Sequence, residues 1–358
     1  MLRRSLVTAQ VGHAYLFYGP EGIGKRTSAL AYAKALNCLD DNARREGDFC
    51  DACHACRLIG VGNHPDVRLL TPESTGSKTV ISIDAIRTKS GESTPHPLPL
   101  REDAQLKPLE GRHKVYILDP ANRPGLQEDA GNALLLTLEE PPPHVVIILI
   151  SSRPTAMLPT LVSRCRPVRF HLAPREEILR AIARTAAVTP TQATAIAGMA
   201  DGRIGWAVGM AGHPGRLDSR QTLLTEIDRL LSAGRPAALR MAEMLRQLAL
   251  TAESLDEEPT DAKGKAPSAD RVSRRNLPEL LDITASWWRD LLIGELGQPE
   301  MRINVDYATA LDRHRGRLTA LQLQCGLEAI TEARRLLERN ANIDLTLEWM
   351  CMAALGGS

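Results

Sequence analysis

Ala14-Tyr15-Leu16-Phe17-Tyr18-Gly19-Pro20-Glu21-Gly22-Ile23-Gly24-Lys25-Arg26-Thr27 is the stretch on which the fold turns. Five apolar or aromatic residues make a short strand-like run, a glycine-rich turn follows, and from Thr27 to Leu39 apolar residues recur at helical spacing. Strand, glycine loop and helix in that order is the setting of a phosphate-binding loop. Glycines let backbone N–H groups approach phosphate oxygens, the helix N-terminus adds positive potential, and the lysine reaches the terminal phosphates. Gly19, Gly22, Gly24 and Lys25 are therefore candidate nucleotide-binding residues. The next position should carry a hydroxyl to hold Mg²⁺, yet it is Arg26, with Thr27 one residue late. Two readings stand at this point, a loop that binds ATP and a vestigial one, and hydrolysis by this chain alone is the less favoured outcome.

Further along, Val115-Tyr116-Ile117-Leu118 and Val145 to Ile150 are continuous apolar runs, with helical spacing from Asn132 to Leu138 between them. Apolar strands separated by helices imply an α/β parallel sheet covered on both faces. The run ending at Leu118 leads into Asp119, the acid that would coordinate the metal of such a site. A glutamate to activate water would normally follow, but Pro120-Ala121-Asn122 offers no general base. Metal and nucleophile must be placed together for phosphoryl transfer, so the two departures weaken the same reaction.

After Pro174 strand-like runs stop. Glu176 to Ala186, Pro190 to Ala200 and Ile204 to Met210 read as a small helical module, and a larger helical block begins near Leu217. The stretch 251–276 has almost no large apolar residues and reads as a disordered insert. The helices expected after it, 277–297, 305–314, 318–340 and 345–355, are amphipathic, with Trp287, Trp288 and Trp349 as core or interface residues.

The 358 residues carry 44 Lys+Arg against 43 Asp+Glu, a net charge of +1, which argues against a broad polycationic grip on nucleic acid while leaving room for a local basic surface. Aromatic residues at 3% give no evident stacking platform for single strands. The apolar run Val145 to Ile150 is far below the roughly 18 residues of a membrane span. Met1-Leu2-Arg3-Arg4 meets polar residues before a signal-peptide core can form, so a cytoplasmic chain is expected.

Four of the seven cysteines, Cys38, Cys50, Cys53 and Cys56, fall within nineteen residues. Two successive C-x2-C steps let one loop wrap a tetrahedral ion, so these are candidate ligands of a structural zinc. An iron–sulfur cluster could use the same spacing. His54 reads as a solvated loop residue, and Cys165, Cys325 and Cys351 as small buried hydrophobes.

Asn132-Ala133-Leu134-Leu135-Leu136-Thr137-Leu138-Glu139-Glu140-Pro141-Pro142, together with Ser163-Arg164-Cys165, resembles the clamp-loader branch of the AAA+ family, the subunits that serve bacterial DNA polymerase III. His64-Pro65-Asp66 and Ile83-Asp84-Ala85-Ile86-Arg87 resemble its non-motor type of subunit rather than the gamma/tau motor. The likeness is strongest from His13 to Phe170 and begins inside the family's first helix, so a short N-terminus is expected.

The resemblance implies three domains: an AAA+ P-loop domain over 1–172 with a cysteine zinc module at 38–56, a helical lid over 173–215, and an all-α collar over 216–358. It implies a five-subunit ring with gamma/tau and delta partners that loads the sliding clamp onto primed DNA, using ATP hydrolysed mainly by the motors. Arg164 matches an arginine donated in trans to a neighbour's ATP. Ser151 and Ser152 occupy the place of a nucleotide-sensing polar residue. In the lid the motors carry a sensor arginine where this chain has Gly205, and Arg203 would point about 200° away from that direction on a helix. The leading reading is a largely non-catalytic stator with no activity of its own. An ATP-hydrolysing gamma/tau-type motor is the alternative, kept by Lys25 and Asp119, and a ring motor of another AAA+ branch fails to account for the cysteines.

Overall fold

A computed structural model describes residues 1–75, 78–88, 98–122, 125–185, 187–233, 237–251 and 269–356. The chain divides into two compact units, Met1–Leu172 and Ala173–Ser358.

The first unit is built on strands β1 (Ala14–Tyr18), β2 (Val67–Leu70), β3 (Glu73–Thr75), β4 (Lys78–Val80), β5 (Lys114–Leu118), β6 (Val145–Ser151) and β7 (Arg166–Arg169). Five of them form one sheet in the order β2-β5-β6-β1-β7, and every pairing is parallel. β3 and β4 make a separate antiparallel pair. The register sets Tyr18 beside Ser151 and Arg169, and Leu118 beside Leu149 and Leu70, so the loops carrying the glycines, Asp119 and Ser151 leave from one edge of the sheet. The approaches to β6 and β7 lie at the opposite edge.

Continuous apolar strands follow from a sheet buried on both faces. Leu16, Tyr116, Leu118, Ile147 and Leu149 pack with Ala130, Leu134 and Leu138 of helix Glu128–Glu139. Tyr15, Phe17, Val115, Ile117, Val146 and Ile148 pack on the other side with Ala29, Tyr32, Ala33 and Leu36 of helix Lys25–Asn37. Two buried polar side chains fasten the approach to β5. Asp66 accepts the N–H groups of Leu109, Glu110 and Gly111 at 2.7–2.8 Å, and Asn37 Oδ1 accepts those of Arg112 and His113. His64-Pro65-Asp66 thus acts as a clasp, with Asp66 N–H donating to His64 Nδ1 at 3.1 Å.

The second unit is helical: Arg175–Thr185, Pro190–Ala200, Ile204–Gly212, Pro214–Ala233, Ala238–Thr251, Ala269–Glu295, Ala308–Arg313, Ala320–Glu338 and Ile343–Gly356. One core runs through it from Ile178 to Ala354. Thr189 with Gln192 and Thr319 with Gln322 form capping boxes that satisfy the first N–H groups of two of these helices. Arg220, 5% exposed, makes a two-pronged contact with Asp306 at 2.6 and 3.0 Å and donates to Asn304 Oδ1.

The insert expected at 251–276 lies outside the described residues at 252–268. Its last eight residues are helical, because helix Ala269–Glu295 starts well before Leu277. Ser273 and Asn276 are buried, and Asn276 Nδ2 donates to Ala249 O at 2.9 Å, so short polar side chains line this helix where composition alone reads a loop. Trp287 and Trp288 are fully buried, whereas Trp349 is 43% exposed and lies outside the core of this chain. Cys325 is likewise exposed, in contrast to the buried Cys165 and Cys351. Among the described residues, no helix is long and apolar enough to cross a membrane.

Candidate functional site

The glycine loop joins β1 to helix Lys25–Asn37, whose N-cap is Gly24 at φ 93°. Gly19 has φ 148°, and a Cβ there would lie 2.5 Å from the carbonyl oxygen of Phe170, so no side chain fits. Lys25 is buried, and its Nζ donates back to Gly19 O at 2.9 Å and Pro20 O at 2.7 Å. Burial lowers its pKa, opposed by the negative charges of Asp119 and Glu21.

Arg26 turns to an acid, although its side chain stays 39% exposed. Its Nε donates to Asp119 Oδ2 at 2.6 Å, so the residue in place of the metal-binding hydroxyl is bonded to the metal-binding acid. The sequence singles out each residue but not their meeting, because the strand that leads to Asp119 is separated from β1 by β6. Thr27 is exposed, about 100° further round the helix than Arg26. Ser151 is fully buried, donates to Asn122 Oδ1 at 3.0 Å and accepts the N–H of Arg153 at 3.1 Å. Ser152 is half-buried.

Arg164 follows the short helix Pro159–Val162 and precedes β7. Its Nη2 contacts Glu139 Oε1 at 2.6 Å and its Nη1 donates to Thr160 O at 3.1 Å. The two separated motifs, Glu139-Glu140-Pro141-Pro142 and Ser163-Arg164-Cys165, therefore meet. Both lie at the sheet edge opposite the glycine loop, and Arg164 remains 36% exposed. In the helical unit Arg203 closes the C-terminal carbonyls of helix Pro190–Ala200, donating to Ala200 O and Met199 O, and Gly205 lies in the first turn of the next helix.

The four clustered cysteines come together at the far end of helix Lys25–Asn37. Cys38 is its C-cap, and Cys53 is the N-cap of helix His54–Gly60. Their sulfur atoms all lie within 4.8 Å of one another, with Cys38 and Cys50 at 3.7 Å. Asp51, at φ 54°, bends the chain so that the N–H of Cys53 points at Cys50 Sγ at 3.3 Å, and the N–H of Cys56 at Cys53 Sγ at 3.5 Å. Burial pushes the Cys53 thiol up, but N–H groups of Leu39 and Cys56 outweigh it and bring the pKa to about 6, while burial raises Cys38 and Cys56. This arrangement could hold one metal ion. His54 is exposed and turns to Glu110, Nε2 to Oε2 3.8 Å, outside the thiol set.

Residues 1–174 match the family described as DNA polymerase III, delta subunit. A Bacillus subtilis relative named DNA polymerase III subunit delta' is 26% identical over 353 residues, covering 98% of this chain and 93% of its own. The delta' subunit of Pseudomonas aeruginosa is 40% identical over 157 residues, 44% of this chain and 42% of its own. The tau/gamma subunit of Haemophilus influenzae is 35% identical over 176 residues, 49% of this chain and 22% of its own.

The parallel sheet and its glycine loop have the layout of a phosphate-binding domain, and the likenesses are to subunits of bacterial DNA polymerase III. The end-to-end likeness is to a delta' subunit, where the tau/gamma likeness covers half of the chain. Over nearly its whole length the chain is delta-prime-like.

Proposed function

We propose that this subunit is a non-hydrolysing member of the clamp-loader ring that donates Arg164 to ATP held by a neighbouring gamma/tau subunit. The polarity of the sheet carries the reading. Arg164 precedes β7, the chain's own phosphate loop follows β1, and these strands are parallel with Tyr15 beside Arg166 and Tyr18 beside Arg169. β7 alone spans about 13 Å, longer than an arginine side chain, so Arg164 cannot serve its own loop. Exposed and held by Glu139, it suits a partner's nucleotide. A guanidinium placed in trans neutralises charge developing on the transferred phosphoryl group, an effect of about 10³ to 10⁵ in rate where such arginines act.

The motor alternative requires a metal on Asp119, and the pairing of that acid with Arg26 opposes it. In this reading 1–172 is the AAA+ domain, 173–215 the lid and 216–358 the collar, the partners are gamma/tau and delta, and the complex brings the sliding clamp to primed DNA. The metal at Cys38, Cys50, Cys53 and Cys56 is structural zinc. A tetrahedral ion with Zn–S near 2.3 Å sets its sulfurs roughly 3.8 Å apart, matching the 3.7 Å between Cys38 and Cys50, whereas an iron–sulfur cluster spreads its thiolates over several irons. Four thiolates leave no open position for catalysis.

The test is the reconstituted complex. Arg164→Ala should lower its DNA- and clamp-stimulated ATPase by about 10³-fold at the neighbouring site, with assembly intact by gel filtration, and Lys25→Ala should change it little. Equal large losses from both, or steady turnover by the chain alone, would establish the motor reading instead.

A further inference from the structure

In a phosphate loop that works with Mg²⁺, the hydroxyl after the lysine and the acid ending a second strand of the sheet serve the same cation, so they face one another. Here a guanidinium stands on the hydroxyl side, and it already lies on the acid, Arg26 Nε to Asp119 Oδ2 2.6 Å. The residues present do not fit a divalent cation at this point. The Asp119 side chain is only 16% exposed, its charge is offset by a charge-assisted hydrogen bond, and Lys25 is the adjoining residue of the same loop. A metal entering there would have to break the ion pair and leave two cationic side chains beside it.

We propose that Arg26 is a tethered cation that holds the divalent-metal position, so that the loop excludes Mg²⁺ and whatever nucleotide polyphosphate it takes is bound independently of Mg²⁺. The inference rests on the non-hydrolysing reading and supplies its cause: the site is closed to the metal by one side chain. Asp119 is then kept as the partner of Arg26 rather than as a metal ligand. Lys25 is held in the same self-contained way, by the carbonyls of Gly19 and Pro20.

The experiment is calorimetric titration of the full, zinc-replete chain with ATP, in Mg²⁺ and in Mg²⁺-free buffer without chelator. Wild type should give the same affinity, or none, in both buffers. Arg26→Thr restores a hydroxyl and releases Asp119, and its affinity should rise by about tenfold or more with Mg²⁺, the size of one added charge-assisted contact. Arg26→Thr combined with Asp119→Asn should lose that dependence. Should Arg26→Thr fail to fold by circular dichroism, Arg26→Gln keeps most of the stem, removes the charge and should gain Mg²⁺ dependence in the same sense. Mg²⁺-dependent binding by wild type, or folded Arg26→Thr and Arg26→Gln single variants without Mg²⁺ dependence, overturns the tethered cation. Neither touches the non-hydrolysing reading, which falls if the wild-type chain turns ATP over or if Lys25→Ala and Arg164→Ala cost the reconstituted complex equally.

Discussion

At the scale of single residues, the side chains that matter here act by being already occupied. Asp66 is buried and accepts three N–H groups of the segment that leads into β5. Burial pushes its carboxyl upward, but the donors of Gly111, Leu109 and Glu110 outweigh this and hold it below its ordinary value near 3.8. A carboxyl whose folded value is depressed stabilises the protein above its ordinary pKa, and the contribution is lost as pH falls through the folded value. Asp66→Ala leaves three donors unpaired and should cost about 3 kcal/mol in chemical denaturation. Asp66→Asn should flatten the loss of stability between about pH 5 and pH 3 relative to wild type; an identical pH profile would show that another group governs it. Asn37 and Asp66 were not legible as a pair from the sequence, because they lie twenty-nine positions apart and their common partner is backbone, which carries no residue-type signal.

At the scale of elements, the glycine loop is the sharpest case of sequence dictating geometry. Gly19 faces the backbone of Phe170 immediately beyond β7, at a distance no Cβ can occupy. Gly19→Ala should force the loop off β7 and lower the melting temperature by several degrees, equivalent to about 1–3 kcal/mol. An unchanged melt would mean that the loop and β7 separate without cost. β1, β5 and β6 were readable because both their faces are buried, which makes the runs continuously apolar. β2 and β7 were not. Val67-Arg68-Leu69-Leu70 is short, and Arg166-Pro167-Val168-Arg169 carries the charge and proline suited to an edge strand, so neither shows the burial pattern by which a strand is recognised. The start of helix Ala269–Glu295 escaped for the converse reason, since its inward residues there include Ser273 and Asn276. The candidate site was legible residue by residue, in Lys25, Arg26, Asp119, Arg164 and the four cysteines. Its pairings, Arg26 with Asp119 and Arg164 with Glu139, depend on how strands order themselves in the sheet, which local sequence does not encode.

At the scale of the molecule, each compact unit carries its own core, and the thiolate cluster belongs to the first. Cys38 ends the helix that supplies Ala29, Tyr32, Ala33 and Leu36 to one face of the sheet, so an ion on the cluster ties residues 38–56 to that helix. Binding to the folded form alone stabilises it by mass action, and ligand thiolates left without an ion lose that term. Removing the metal should therefore weaken the sheet unit and leave the helical unit's core intact. The four tryptophans, Trp206, Trp287, Trp288 and Trp349, all lie in the helical unit, which separates the two signals. Treatment of the full chain with a strong zinc chelator should release about one zinc per chain, lower the melting temperature of the sheet unit followed by hydrogen exchange in β1, β5 and β6, and leave tryptophan emission unchanged. If emission shifts in step with the loss of protection, the units unfold as one cooperative body. If the chelator releases no metal from a fully folded chain, the four thiols hold their arrangement through hydrogen bonds such as those at Cys50 and Cys53, and the zinc assignment falls.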